Sequence, residues 1–108
     1  MRYEGMSDTD AEKIRLQMRD AEEQYRESER AFEYFIDLFN DSIRKNKDTF
    51  ELQSLSRKEY EELKEIDHQA RKSLDDLIEQ RDITRYEHRK QMEILDEEIR
   101  QIKEGKDS

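Results

Sequence analysis

The chain has 108 residues, 47% of them charged and only 31% hydrophobic, with no Cys, no Pro and a formal net charge of −9. So little apolar material excludes a thick globular core and favours one domain built on a thin apolar seam. The acidic excess holds in both parts of the chain, with 9 basic against 13 acidic residues over 1–48 and 12 against 17 over 49–108. That argues against a nucleic-acid backbone or an anionic membrane surface as ligand.

The N-terminal MRYEGMSDTD carries no apolar stretch after Arg2, so it does not read as a secretory leader. No run approaches the ~18 apolar residues of a membrane span, and the expectation is a soluble cytoplasmic protein. The two Gly, Gly5 and Gly105, lie near the ends, leaving a long stretch free of strong helix breakers. Low hydrophobicity alone would also fit disorder, but the apolar pattern is periodic. Ala11, Ile14, Met18, Ala21, Tyr25, Ser28, Phe32, Phe35 and Phe39 alternate steps of three and four, a heptad seam over about four repeats. A first helix is therefore expected over about 9–46. Thr9 with Glu12 forms its capping box, and Ser7 with Asp10 is a weaker start of the same kind. Its aromatic mass is concentrated in AFEYFIDLF, residues 31–39.

KDTFELQSLS, residues 47–56, reads as the connection. A second helix is expected over about 57–104, opened by a Ser56–Glu59 capping box and closed by Gly105 as the residue after its last turn. Its seam runs through Tyr60, Leu63, Ile66, Ala70, Leu74, Leu77, Arg81, Thr84, His88, Met92, Leu95, Ile99 and Ile102, with extra four-residue steps near Ala70–Leu74 and His88–Met92. A short link between long helices implies an all-α antiparallel hairpin, a single coiled-coil-like domain over 1–108. Folding it about residue 51 pairs Phe39 with Leu63, Phe32 with Ala70 and Tyr25 with Leu77. The same register sets Ala21 against Arg81, Met18 against Thr84 and Ile14 against His88, so the middle of the seam is polar and marginal by itself.

The residues do not assemble catalytic chemistry. There is no Cys nucleophile and no Gly-rich phosphate loop, and the abundant carboxylates sit among Lys and Arg at helix-supporting spacings. Glu65 and His68 have the Glu-x-x-His spacing of carboxylate-bridged metal sites, but the only other histidine, His88, follows Arg85 by three. The reading is a non-enzymatic chain without metal or cofactor.

The apolar surplus is more informative. At 100° per residue, Leu38, Ala31, Phe39 and Phe32 fall within about 60° of Phe35, with Tyr34 on one flank and Ile36 and Ile43 on the other. That arc, about 200° wide, exceeds what one neighbouring helix covers. Phe32, Tyr34, Phe35, Ile36, Leu38, Phe39 and Ile43 are therefore the candidate partner-binding residues, the alternative being that Tyr34 and Ile36 are scattered surface apolars of the ordinary kind. A second surplus, Leu95, Ile99 and Ile102, lies beyond the start of the first helix in this register. Tyr3 and Met6 cover it if the N-terminus folds back; otherwise it is a second contact surface.

An acidic, Cys-free and Pro-free helical hairpin of this size resembles the small helical proteins of Gram-positive type VII secretion. Across 9–104, with AFEYFIDLF in the first helix and IEQRDITRYEHRKQMEILDEEI in the second, the chain is similar to the LXG-associated targeting proteins. The Trp-x-Gly turn of the WXG type is absent, the connection reading LQSLS, and no Phe is followed by Asp four residues on. A Tyr-x-x-x-Glu pattern occurs at Tyr25 and Glu29, with Tyr25 on the seam. The resemblance implies an adaptor that binds the helical N-terminal LXG domain of a toxin, together with a second small helical protein, and is either retained or exported with it. The competing readings are a self-associating coiled coil, as a homodimeric four-helix bundle, and a phage or cytoskeletal scaffold component.

Overall fold

The computed structural model describes the backbone of residues 2–107 and the side-chain surroundings of residues 9–105. Two helices, α1 (Arg2–Phe50) and α2 (Arg57–Asp107), run antiparallel as an all-α hairpin joined by residues 51–56. Neither is long and apolar enough to cross a membrane.

The helix ends differ from expectation at three of four places. α1 begins at Arg2, so Thr9 lies inside the helix rather than capping it; the side chain of Ser7 lies outside the described residues. A single Gly costs a helix only ~1 kcal/mol, and Gly5 does not stop it. α1 also continues four residues past Asn46. Thr49 Oγ1 donates to the Lys45 carbonyl (2.9 Å), and the Glu51 and Leu52 amides close the last turn onto the Asp48 and Thr49 carbonyls. The Phe50 ring then meets Tyr60 edge-on at 5.4 Å. Gly105 does not terminate α2, which passes through it to Asp107 without a positive φ. The start of α2 forms as expected: the Glu59 amide donates to Ser56 Oγ (3.1 Å) and the Ser56 amide to Glu59 Oε1 (3.4 Å), a reciprocal capping box.

The chain divides into two compact units, Glu29–Asp82 and Met1–Ser28 with Ile83–Ser108. In the first, Phe32, Ile36, Phe39 and Ile43 of α1 turn inward, as do Leu63, Leu74 and Leu77 of α2 around the buried Ala70. Asn46 Nδ2 donates across the hairpin to Asp67 Oδ1 (3.3 Å), and Arg71 Nε donates to Asp67 Oδ2 (2.8 Å). The hydrogen bond from Arg71 is the main reason that the Asp67 carboxyl lies below its ordinary value of 3.8.

In the second unit the buried residues are Ala11, Ala21, Leu95 and Ile99, with Ile14, Met18, Met92 and Ile102 half-buried around them. A polar layer follows. The Tyr25 and His88 rings stack at 4.0 Å with 4° between their planes, and His88 Nε2 lies 2.9 Å from Glu22 Oε1. Ser28 and Thr84 line the same groove.

These pairs correct the register. The partners' numbers add to 113 for Asn46–Asp67 and Tyr25–His88 and to 110 for Phe50–Tyr60 and Glu22–His88, where a fold about residue 51 requires about 102. Part of the slip comes from α1 running to Phe50, and part from α2 completing its first turn before Tyr60 meets α1. The observed offset is also the better match. It sets Ile43 level with Ala70, Ile36 with Leu77, Met18 with Leu95 and Ile14 with Ile99, and it gathers Tyr25, Ser28, Thr84 and His88 into one polar layer. The expected register instead placed Ile14 against His88 and Met18 against Thr84.

Candidate docking surface

The seam of α1 does not keep its heptad through AFEYFIDLF. From Ser28 the seam steps by four to Phe32 and by four again to Ile36, then to Phe39, Ile43 and Asn46, with Glu29 and Ser42 half-buried at its edges. Ile36 takes the inward place expected for Phe35. Two successive steps of four carry the stripe about 80° round from Ser28, which rotates Phe35 outward. Of the candidate residues, Phe32, Ile36, Phe39 and Ile43 are therefore half-buried in the hairpin's own seam. Tyr34, Phe35 and Leu38 stand 64%, 46% and 50% exposed.

The open apolar surface thus lies on one flank rather than on two. Tyr34 and Phe35 touch edge-to-face at 5.3 Å, an arrangement that holds both rings without burying either. Phe35 and Phe39 also form one wall of a shallow groove, whose other wall is Ser73, Asp76, Leu77 and Gln80 of α2. This is a small, mostly apolar concavity bordered by amide, hydroxyl and carboxylate groups.

The second proposed surface is accounted for within the chain. Leu95, 8% exposed, and Ile99 are buried in the unit formed with the start of α1, and Ile102 shares a groove with Ile14. In the corrected register these residues lie level with residues 10–18, so they are covered without any fold-back of the N-terminus. Tyr3 and Met6, the expected covers, lie outside the described side chains. Leu95 and Ile99 are thus mostly spent inside the hairpin, and what Leu95 still shows lines a shallow groove with Tyr86 and Ile94.

α2 has a comparable exchange. Asp67 is half-buried where Ile66 was expected on the seam, and Ile66 is 57% exposed. Asp67 can take the inward place because Asn46 and Arg71 both donate to it. The steps Leu63, Asp67, Ala70, Leu74 are then regular, and the expected extra step near Ala70 is absent. The step of four from His88 to Met92 is present. Farther along, Tyr86 and Ile94 are exposed at a spacing of eight, with the Lys90 ammonium 5.6 Å over the Tyr86 ring and within 3.7 Å of Glu93. This outer stripe lies off the seam, and its i, i+4, i+8 spacing is its signal in the sequence.

No group of three His, Asp or Glu side chains converges to hold a metal ion among the described residues. Glu65 accepts a hydrogen bond from Gln69 (3.1 Å), and His88 is engaged with Tyr25 and Glu22. No family model, curated protein or solved structure matches the chain.

Proposed function

We propose that the chain is a non-enzymatic adaptor whose Tyr34–Phe35–Leu38 face receives a helix of a partner protein. The resemblance to LXG-associated targeting proteins names that partner as the helical LXG domain of a type VII-secreted toxin. The chain binds it in the cytoplasm with a second small helical protein and delivers it for export. One observation carries the reading: three large apolar side chains lie together in the open on a chain with few apolar residues to spare.

Exposed fractions of about half on side chains of ~200 Å² leave roughly 300 Å² of apolar surface, the size of a functional patch. At ~25 cal/mol per Å² its burial is worth about 7 kcal/mol gross, which the ~4–15 kcal/mol cost of association largely cancels. The face therefore anchors a wider interface, and the groove beside Phe35 and Phe39 provides room for one.

The test is to co-express the chain with the N-terminal domain of an LXG toxin encoded beside it and measure complex formation on the purified proteins. Tyr34→Glu with Leu38→Glu is expected to abolish the complex while the chain keeps its helical circular dichroism. A complex of undiminished affinity would remove this face from the interface, and the absence of any complex with the unaltered chain would remove the adaptor reading itself.

A further inference from the structure

Arg30, Tyr34, Leu38 and Asp41 follow one another along the exposed side of α1, and Glu27 and Lys45 continue the row by a turn at each end. All six side chains are exposed. At 100° per residue they fall within about 80° of one another, so they form a single stripe. Toward the C-terminus the stripe reads acid, base, aromatic, aliphatic, acid, base. Read backward it is its own complement.

Consider a second copy of α1 laid antiparallel on the stripe, about a two-fold axis near residue 36. Glu27 then meets Lys45 of the second copy, Arg30 meets Asp41, and Tyr34 meets Leu38. The symmetry repeats each pair, which is the condition for an isologous interface. A parallel copy would set Glu27 on Glu27, Arg30 on Arg30 and Asp41 on Asp41, and like charges in contact are costly. Between Glu27 and Lys45 the stripe therefore favours an antiparallel second copy; one turn farther out the exposed Glu23 and Asp48 would set acid against acid, which confines the contact to this span. Asp41 is already beside Arg44 on its own helix, but both groups are more than half exposed. A carboxylate accepts several donors, which leaves oxygen lone pairs free for Arg30 of the second copy.

We propose that the free chain is an antiparallel homodimer, joined along the Glu27–Lys45 stripe of α1 with Tyr34 packed on Leu38 across the two-fold axis. The stripe is ~27 Å long at 1.5 Å per residue, which puts the contact at the low end of specific interfaces. The dimer is consequently weak and concentration-dependent. This inference stands on α1 alone and needs no LXG domain; where both proposals hold, the partner and the second copy compete for one face.

The deciding experiment is sedimentation equilibrium of the full chain over a range of concentrations at low salt, with circular dichroism of every variant as the folding control. The unaltered chain is expected to shift from monomer to dimer mass as concentration rises. Arg30→Asp and Asp41→Arg should each weaken the dimer about tenfold or more, because each sets two like-charged pairs face to face. The double exchange R30D/D41R restores opposite pairs and should return the affinity to within about threefold of the original. The two single changes move the net charge in opposite directions, so weakening by both is not a matter of general repulsion. If either single change disturbs helicity, Arg30→Gln supplies the same comparison and should weaken the dimer by a smaller factor. A chain that stays monomeric at about 100 times a micromolar dissociation constant overturns the proposal. So does a dimer that ignores the single changes, or a double exchange no tighter than its parents.

Discussion

Leu95 and Ile66 form a matched pair for testing where the core lies. Both are large aliphatic residues of α2, and the heptad in the sequence runs through both. Leu95 is 8% exposed and Ile66 57%. Truncating Leu95 to Ala removes three carbons that are almost wholly out of water, about 2.4 kcal/mol at ~0.8 kcal/mol per buried methylene, before any cavity is counted. Measured losses for buried Leu→Ala run from ~2 to 5 kcal/mol, and a hairpin this thin can collapse partly around the gap, so the low end applies. Ile66→Ala forfeits less than half as much, about 1 kcal/mol or less. At ~4–8 °C per kcal/mol, Leu95→Ala should lower the melting temperature by about 10–20 °C and Ile66→Ala by no more than about 8 °C. Thermal melts followed by circular dichroism, run dilute so that the chain is monomeric, read both. Equal losses would mean that Asp67 does not hold the inward place. A Leu95 variant melting with the original chain would mean that the far end of α2 is not packed on α1.

Three smaller predictions follow from the helix ends and the cross-hairpin carboxylate. Ser56→Ala removes the side-chain half of the capping box and should cost ~1 kcal/mol in urea unfolding; a loss below experimental error would mean that the cap adds nothing to the start of α2. Gly105→Ala should raise helical content slightly and stability by a few tenths of a kcal/mol, since the position is helical and an added methyl meets nothing within 4 Å. A loss would return Gly105 to the terminating role. Asp67 is more acidic in the folded chain than its ordinary 3.8, so the stability it contributes is present above that value and disappears as pH falls through the lower folded-state value. The melting-temperature gap between the original chain and Asp67→Asn should therefore hold from pH 7 down to about 4 and close below it; a gap that stays constant in acid would show that ionised Asp67 is not what stabilises the hairpin.

The fold class was legible because two properties agree, a breaker-free chain and a heptad sustained in both arms. The register was not. A heptad specifies which face of each helix turns inward and leaves free how far one helix slides along the other. Sliding is decided by where the turn closes, and that depended on Thr49 and Phe50 extending α1, which local propensity does not reveal. The pattern of apolar levels did carry the answer: only the offset near 113 gives Ile14, Met18, Ile36 and Ile43 aliphatic or small neighbours while pooling Tyr25 and His88. The exchange of Phe35 for Ile36 was hidden because both are apolar and only 100° apart. Asp67 takes the place expected of Ile66 because a carboxylate can enter a seam once Asn46 and Arg71 are there to bond it. Within AFEYFIDLF the large exposed apolar side chains are therefore those on one of the two expected flanks, Tyr34, Phe35 and Leu38.

The hairpin's connectivity also orders its assembly in time. Asn46 and Asp67 are 21 residues apart along the chain, Glu22 and His88 66. Closing the longer loop from an open chain costs about 1 kcal/mol more in entropy. Once the unit nearest the connection has closed, the distant pairs are joined through ordered helix and most of that difference vanishes. Loop closure therefore favours folding from Ser56 outward. Amide exchange should be slowest near Ala70 and fastest toward residues 2 and 107, and the aromatic face at residues 34–38 lies in the part that closes first. A partner that arrives while the chain is folding would therefore meet that face early.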